Sequence, residues 1–367
     1  MRTQRSDAPR RLLALFSLTL FACGGQDLDS QPLEVENTEL SSGAQRWRFG
    51  VNAGWQDSLY RMPGVIRETQ TLGASTVRMD IRVSHSPQHY AQVMDYFAAS
   101  NIDVLVVFTG SSWHGQKRDA HHYHQHRWQV CSHYAPWHNP SQWGTYNVIP
   151  YLDAIRPYVD AIRHKRNLIG IELWNEVTNA ENHLCAADYA YMMTEAKLRW
   201  PELRWGTSTE GANYGDYASH YMWKLAYNTD KVNWYKATHG GGPPYDIVMH
   251  HPYGAGQWTR QDVSGYLAHQ FRGLGWSQIR GHERPIWFTE IGWQTGQGED
   301  HQARMLEYTM DTVLDPRSVV KPERVFWYAL YDCTPGFGLI RNRCWDTDGN
   351  GYRRPAWYSM QRYLQGW

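Results

Sequence analysis

Two short segments each end in a glutamate that could do chemistry: Gly170-Ile171-Glu172-Leu173-Trp174-Asn175-Glu176 and Pro285-Ile286-Trp287-Phe288-Thr289-Glu290. Each is a brief apolar, β-prone run, the pattern of a buried strand that delivers a carboxylate to a cleft. Two such carboxyl groups facing one another can divide the work, one donating a proton and the other attacking as a nucleophile. A Trp-Asn-Glu triplet alone recurs by chance, so the weight falls on what must surround it.

Bringing two strand ends together calls for strands that point the same way. Candidate strands lie near Trp47 to Asn52, Ser75 to Asp80, Asp103 to Thr109, Leu168 to Trp174, Arg204 to Ser208, Asp246 to His251, Pro285 to Glu290 and Arg324 to Leu330. Between them, segments such as Pro87 to Ser100, Tyr151 to His164, Ala186 to Arg199 and Gln302 to Val313 carry apolar residues at three- and four-residue spacing, as amphipathic helices do. The alternation predicts a parallel sheet with crossover helices, and its count predicts an α/β fold of one single (β/α)8 TIM barrel over 46–367. Sites in that architecture sit where the C-terminal strand ends converge. The polar or aromatic residues there are Asn52, Arg78, Asp80, His114, Asn175, Glu176, Glu210, His251, Tyr253, Glu290 and Trp327. The longest connection, Gly110 to about Asn147, is rich in His, Trp and Tyr, and loops of such length usually belong to function.

At these positions the chain resembles clan A of the glycoside hydrolases, nearest to family 5 or family 39. The resemblance covers about Trp47 to Trp367 and rests on Trp174-Asn175-Glu176, Thr289-Glu290, His251-x-Tyr253, Trp327 and the return Arg354-Pro355-Ala356-Trp357. It implies retaining hydrolysis of β-glycosidic bonds in a polysaccharide or oligosaccharide, with Glu176 as acid/base, Glu290 as nucleophile and the carboxyl groups about 5 Å apart. Asn175 would hydrogen-bond the sugar 2-hydroxyl, and Tyr253 would donate to Glu290. Trp327 would stack on a sugar ring, and His251 and His114 would join the substrate contacts. Arg78 resembles the clan's arginine beside the nucleophile; a structural ion pair with Glu172 or Asp80 is the alternative, and both can hold. The segment Phe337 to Ile340, then Asp346-Thr347-Asp348-Gly349-Asn350, resembles the architectural loop after strand eight. Calcium binding by Asp346, Asp348 and Asn350 would need the full twelve-residue loop with its closing glutamate.

Composition narrows the partner. Lys+Arg and Asp+Glu both number 36, so no charge excess recruits nucleic acid or an acidic membrane, and a neutral substrate fits. Trp 19 and Tyr 24 suit both a large core and the stacking of sugar faces. His121, His122, His124, His126, His133 and His138 lack metal-ligand spacing and no Cys-x-x-Cys occurs, so no metal and no cofactor is expected. Residues 1–22 read as a signal peptide, Leu20-Phe21-Ala22-Cys23 resembles a bacterial lipobox, and 23–45 reads as a flexible tether. The chain is therefore expected to be exported, as an outer-membrane lipoprotein held only by a lipid at Cys23 or as a secreted monomer. Cys131, Cys185, Cys333 and Cys344 then favour disulfides, with Cys333–Cys344 and Cys131–Cys185 preferred among three pairings. The second link would pin the long loop as a cleft wall, presenting Trp113, Trp128, Trp137 and Trp143 to sugar units. Two rival readings are a non-catalytic surface carbohydrate-binding lipoprotein and a metal-dependent hydrolase that gathers His114 with the loop histidines.

Overall fold

The computed structural model describes residues 48–55, 58–109, 148–177, 186–210, 230–254, 258–341 and 351–366. Contacts divide the chain into Met1–Glu39 and Leu40–Trp367, and every described residue belongs to the second unit. The expected signal peptide, tether and Cys23 lie outside the described residues, as do His114, the long loop with its tryptophans, Cys131, Cys185, Cys344 and the Asp346 to Asn350 segment.

Strands and helices alternate along the described chain. They are β1 (Phe49–Trp55), α1 (Met62–Leu72), β2 (Thr76–Ile81), α2 (Pro87–Ala99), β3 (Asp103–Phe108), α3 (Val148–Ile162), β4 (Leu168–Leu173) and α4 (Ala186–Arg199). Then follow β5 (Trp205–Gly206), β6 (Thr209–Glu210), α5 (Asp230–Thr238), β7 (Val248–His251), α6 (Arg260–Gly273), β8 (Ile286–Ile291), α7 (Glu299–Leu314), β9 (Arg324–Trp327) and α8 (Pro355–Gln365). The sheet order is β5-β4-β3-β2-β1-β9-β8-β7-β6, with parallel pairings throughout. β5 and β6 are two pieces of one barrel strand: β5 pairs with β4, β6 pairs with β7, and a bridge from Gly206 to Ile247 joins the two sides. The result is the expected eight-stranded (β/α)8 barrel. All eight strands fall where the apolar runs put them, although the last ends at Trp327, before the expected Leu330.

Local chemistry starts and stops the helices. Ser86 caps α2 by accepting from the His89 backbone N–H at 3.2 Å, with Pro87 at the first helical position where no N–H is needed. Thr259 and Asp262 form a reciprocal capping box on α6, and Gly73 ends α1 with φ of 92°, a conformation that glycine adopts without steric cost.

Strand alternation separates two environments. Leu105, Ile247, Met249, Trp287 and Phe326 fill the barrel axis, whereas residues of opposite parity, such as Val77, Val104, Val248 and Val325, pack outward in the belt under the helices. Above that apolar floor, the same inward parity brings Arg78, Glu172 and His251 toward the mouth. Gly50 faces the floor from β1, where an added Cβ would stand 2.7 Å from the Phe326 ring and 2.8 Å from the Thr76 carbonyl oxygen. The carbonyl belongs to a paired strand and has little room to yield. Gly50→Ala should therefore lower the unfolding free energy by about 1–3 kcal/mol in urea titration.

Candidate active site

Glu172 organises the mouth. It is fully buried on β4, and its carboxylate accepts from Arg78 Nε at 2.7 Å, His251 Nε2 at 2.9 Å, Ser208 Oγ at 2.8 Å and Thr289 Oγ1 at 3.2 Å. Burial alone would raise its pKa, but Arg78 and His251 outweigh that and hold it at about 2. His251 lies on the opposite side of the balance. Burial favours its neutral ring, yet the charges of Glu290 and Glu172 push it up to about 10, so both ring nitrogens donate. Its second nitrogen, Nδ1, lies 3.0 Å from Glu176.

Glu290 reaches the same cluster through a backbone irregularity. Phe288 pairs with Val325 but Ile291 pairs with Trp327, so β8 spends three residues where β9 spends two. Such a bulge re-aims side chains beside it. Thr289 and Glu290, consecutive in sequence, consequently both point inward: Thr289 to Glu172, and Glu290 to Arg78 Nη1 and the Tyr253 hydroxyl, which donate to its two oxygens. Burial raises the Glu290 carboxyl above its ordinary value, while Arg78, His251 and the Tyr253 hydroxyl restrain the rise.

Glu176 sits just beyond β4 on backbone that side-chain-bearing residues rarely adopt, with φ of 74° at Trp174 and 52° at Glu176. Ser208 holds this turn, accepting the Glu176 N–H on its Oγ at 2.9 Å and the Val177 N–H on its carbonyl at 3.1 Å. A carboxylate oxygen of Glu176, one of Glu290 and a ring nitrogen of His251 all lie within 4.8 Å of one another. Among the described residues this trio is also the candidate set for a metal ion. A cation there would stand against the fixed charge of Arg78 on Glu290 and against a doubly protonated His251, so the donors suit proton transfer better.

Most residues expected from the sequence meet here. Arg78 serves both readings at once, binding Glu172 and Glu290 and giving Nη2 to Asn175 Oδ1 at 2.9 Å. Trp327 does not meet them. It follows inward Phe326, so it turns outward, 2% exposed, and stacks on Trp293 at 6.0 Å in the helix-facing belt. Tyr328, one residue later, faces the site instead, with its ring 6.1 Å from Tyr253 and 5.6 Å from Phe337 and its hydroxyl bonded to Thr334 Oγ1 at 2.8 Å. Alternation counted from Phe326 would have signalled the exchange. Ser208 was given no role by the sequence, and Thr289 was marked only as the residue preceding Glu290 in the Thr289-Glu290 match. His250 follows the same pleat outward, bonding Thr209 Oγ1 at 2.9 Å and Gln270 Oε1 at 3.1 Å, and burial lowers it to about 3. Cys333 is a disulfide cysteine, while the other three cysteines of the expected pairings lie outside the described residues.

No protein-family model and no curated protein matches this chain. Solved structures match it in fold. The hyperthermostable endo-1,4-β-D-mannanase of Thermotoga petrophila RKU-1 aligns over 88% of this chain and 100% of its own, at TM-score 0.54 and 12% identity. The GH1 β-glucosidase of Exiguobacterium antarcticum B7 aligns over 88% and 98%, at TM-score 0.54 and 12% identity. A hyperthermophilic endocellulase of Pyrococcus horikoshii aligns over 87% and 92%, at TM-score 0.53 and 11% identity. At such identities the likeness is one of fold, the (β/α)8 barrel.

The buried ions tie stability to pH. Glu172, depressed from 4.5 to about 2, contributes stability that is complete above pH 4.5 and lost as pH falls toward 2. His251, raised from 6.5 to about 10, contributes stability that is complete below pH 6.5 and lost as pH rises through 10. Glu172→Gln leaves two buried cations short of a counter-charge and should cost about 3–5 kcal/mol. Urea unfolding at about pH 3, 5.5 and 9.5 should find the largest wild-type advantage at the middle value; a deficit independent of pH would contradict the ionic account.

Proposed function

We propose that the chain is a retaining glycoside hydrolase that cleaves β-glycosidic bonds in a neutral oligosaccharide or polysaccharide by double displacement. The observation that carries this reading is the approach of the Glu176 and Glu290 oxygens within 4.8 Å. That approach suits direct attack by one carboxylate, whereas inversion needs a wider gap for a water molecule.

In the first step a Glu290 oxygen attacks the anomeric carbon while Glu176 gives its proton to the departing glycosidic oxygen, leaving a glycosyl ester on Glu290. In the second step Glu176, now a carboxylate, takes a proton from water as that water attacks the same carbon and releases Glu290. Two donors to Glu290, Arg78 and Tyr253, favour its charged form, the form that attacks. Asn175, oriented by Arg78, is placed to bind the hydroxyl next to the anomeric carbon, a contact that strengthens in the transition state. Tyr328 takes the sugar-stacking role first expected of Trp327. The fold neighbours named for glucosidase, mannanase and cellulase activity support a β-linked glycan as substrate. Export with a lipid at Cys23, and a monomeric state, remain part of the proposal on the sequence pattern alone.

Glu290→Gln should lower kcat by about 10⁴-fold or more while the thermal midpoint stays close to wild type. With azide present, Glu290→Gly should yield a glycosyl azide of inverted anomer, and Glu176→Ala one of retained anomer. Substantial residual turnover in Glu290→Gln on the best substrate would remove that residue from the nucleophile role.

Because Tyr253 holds Glu290 below the value that burial alone would set, the acidic limb of kcat/KM should lie above pH 4.5 in the wild type and move higher still in Tyr253→Phe. A loss of rate with an unmoved limb would make Tyr253 a packing residue only.

A further inference from the structure

Asn52 poses an unsolved hydrogen-bond account. Its side chain is 1% exposed, its Oδ1 accepts from the Gly54 N–H at 2.8 Å, and its Nδ2 has no partner among the described residues. A buried donor left unbonded forfeits its hydration without return, so it calls for a partner that arrives later. Position says where. Gly50, two residues earlier, faces the barrel floor, so Asn52 faces inward as well, paired in register with Arg78, whose guanidinium grips Glu290. The extra residue in β1 immediately after Asn52 folds the chain back and supplies the Gly54 N–H that fixes the amide.

One layer nearer the mouth on β2, Asp80 shares the inward parity of Arg78, lies 3.6 Å from its Nη1, and keeps 17% of its side chain exposed. β1 and β2 are neighbours, so Asn52 and Asp80 lie on adjacent strands, one layer apart, on either side of the Arg78 level, and the Arg78 guanidinium reaches from there to Asn175 and Glu290. An amide donor and a carboxylate acceptor on adjacent strands match sugar hydroxyls, each of which both accepts and donates.

We propose that Asn52 and Asp80 form a hydroxyl-binding pair that seats a neutral sugar unit beside Glu290 and rejects an acidic one; the proposal rests on the hydrolase reading above. The hydroxyls concerned are ones other than the hydroxyl next to the anomeric carbon, which Asn175 serves. The carboxylate of Asp80 repels a uronate at that edge, and Arg78, already shared between Glu172, Glu290 and Asn175, is not released to compensate.

The test uses the full chain on a panel of aryl β-glycosides and β-linked gluco- and manno-oligosaccharides, with monodeoxy analogues and the uronide of the best substrate. Asn52→Ala should lower kcat/KM on the parent sugar by about tenfold, and Asp80→Asn by about tenfold to a hundredfold. Each variant should fall less than about threefold on the one analogue that lacks its hydroxyl, and Asp80→Asn should narrow the gap between parent and uronide. Equal losses on the parent and on every analogue overturn the pair. Should wild type hydrolyse nothing on the panel, the hydrolase reading falls by itself, and the pair is read by calorimetric binding of the same oligosaccharides. Equal affinities of wild type and Asn52→Ala would then overturn it.

Discussion

A single buried carboxylate sets the conditions for everything above it. Glu172 can remain charged inside the barrel only because four donors from four strands converge on it, and each donor is thereby held still. Arg78 then presents its remaining nitrogens to Glu290 and Asn175, His251 presents its second nitrogen to Glu176, and Ser208 receives the backbone N–H groups of the Glu176 turn. Isolated, each buried ion would be expensive to desolvate. Linked through Glu172, they become a fixed array of opposite charges, and in the proposed hydrolase such an array would need no reorganisation when charge develops.

Geometry is adjusted at irregular points rather than along regular strand. The bulge of β8 lets adjacent residues face the same way, so Thr289 can brace Glu172 while Glu290 works beside it. The positive φ at Trp174 and Glu176 does similar service at the end of β4, and the two hydrogen bonds that Ser208 accepts from the Glu176 and Val177 N–H groups keep the chain in that uncommon conformation. Strain of this kind persists only where surrounding contacts over-determine it, and here Tyr189, donating to the Leu173 carbonyl at 2.8 Å, anchors the strand end from the helix side.

The fold was legible because parallel strands covered on both faces read as apolar runs, and helices between them read at their own period. Of the cluster at the mouth, Glu176, Glu290, Asn175, Arg78, His251 and Tyr253 were singled out by their places at strand ends together with the clan A resemblance. The account failed where orientation mattered more than position. Trp327 ends its strand as expected, but parity turns it toward the helices, and Tyr328 inherits the mouth. Glu172 was visible only as one possible partner of Arg78, since its importance arises from donors on β2, β5–β6, β7 and β8 that no local pattern brings together. Asn52 was visible as a strand-end polar residue, but its unbonded amide emerges only from the full hydrogen-bond account.

The neighbours His250 and His251 carry one last implication. They are chemically identical and adjacent, yet between about pH 3 and 10 the outward one is neutral and the inward one charged. Each side of the pleat accepts only one of these two states. The surroundings and not the ring decide the state: burial in the outer belt keeps His250 neutral, and Glu290 and Glu172 keep His251 charged. One residue type, repeated along a single strand, thus supplies a fixed cation on the axial face of the sheet and a neutral hydrogen-bonding ring on the other.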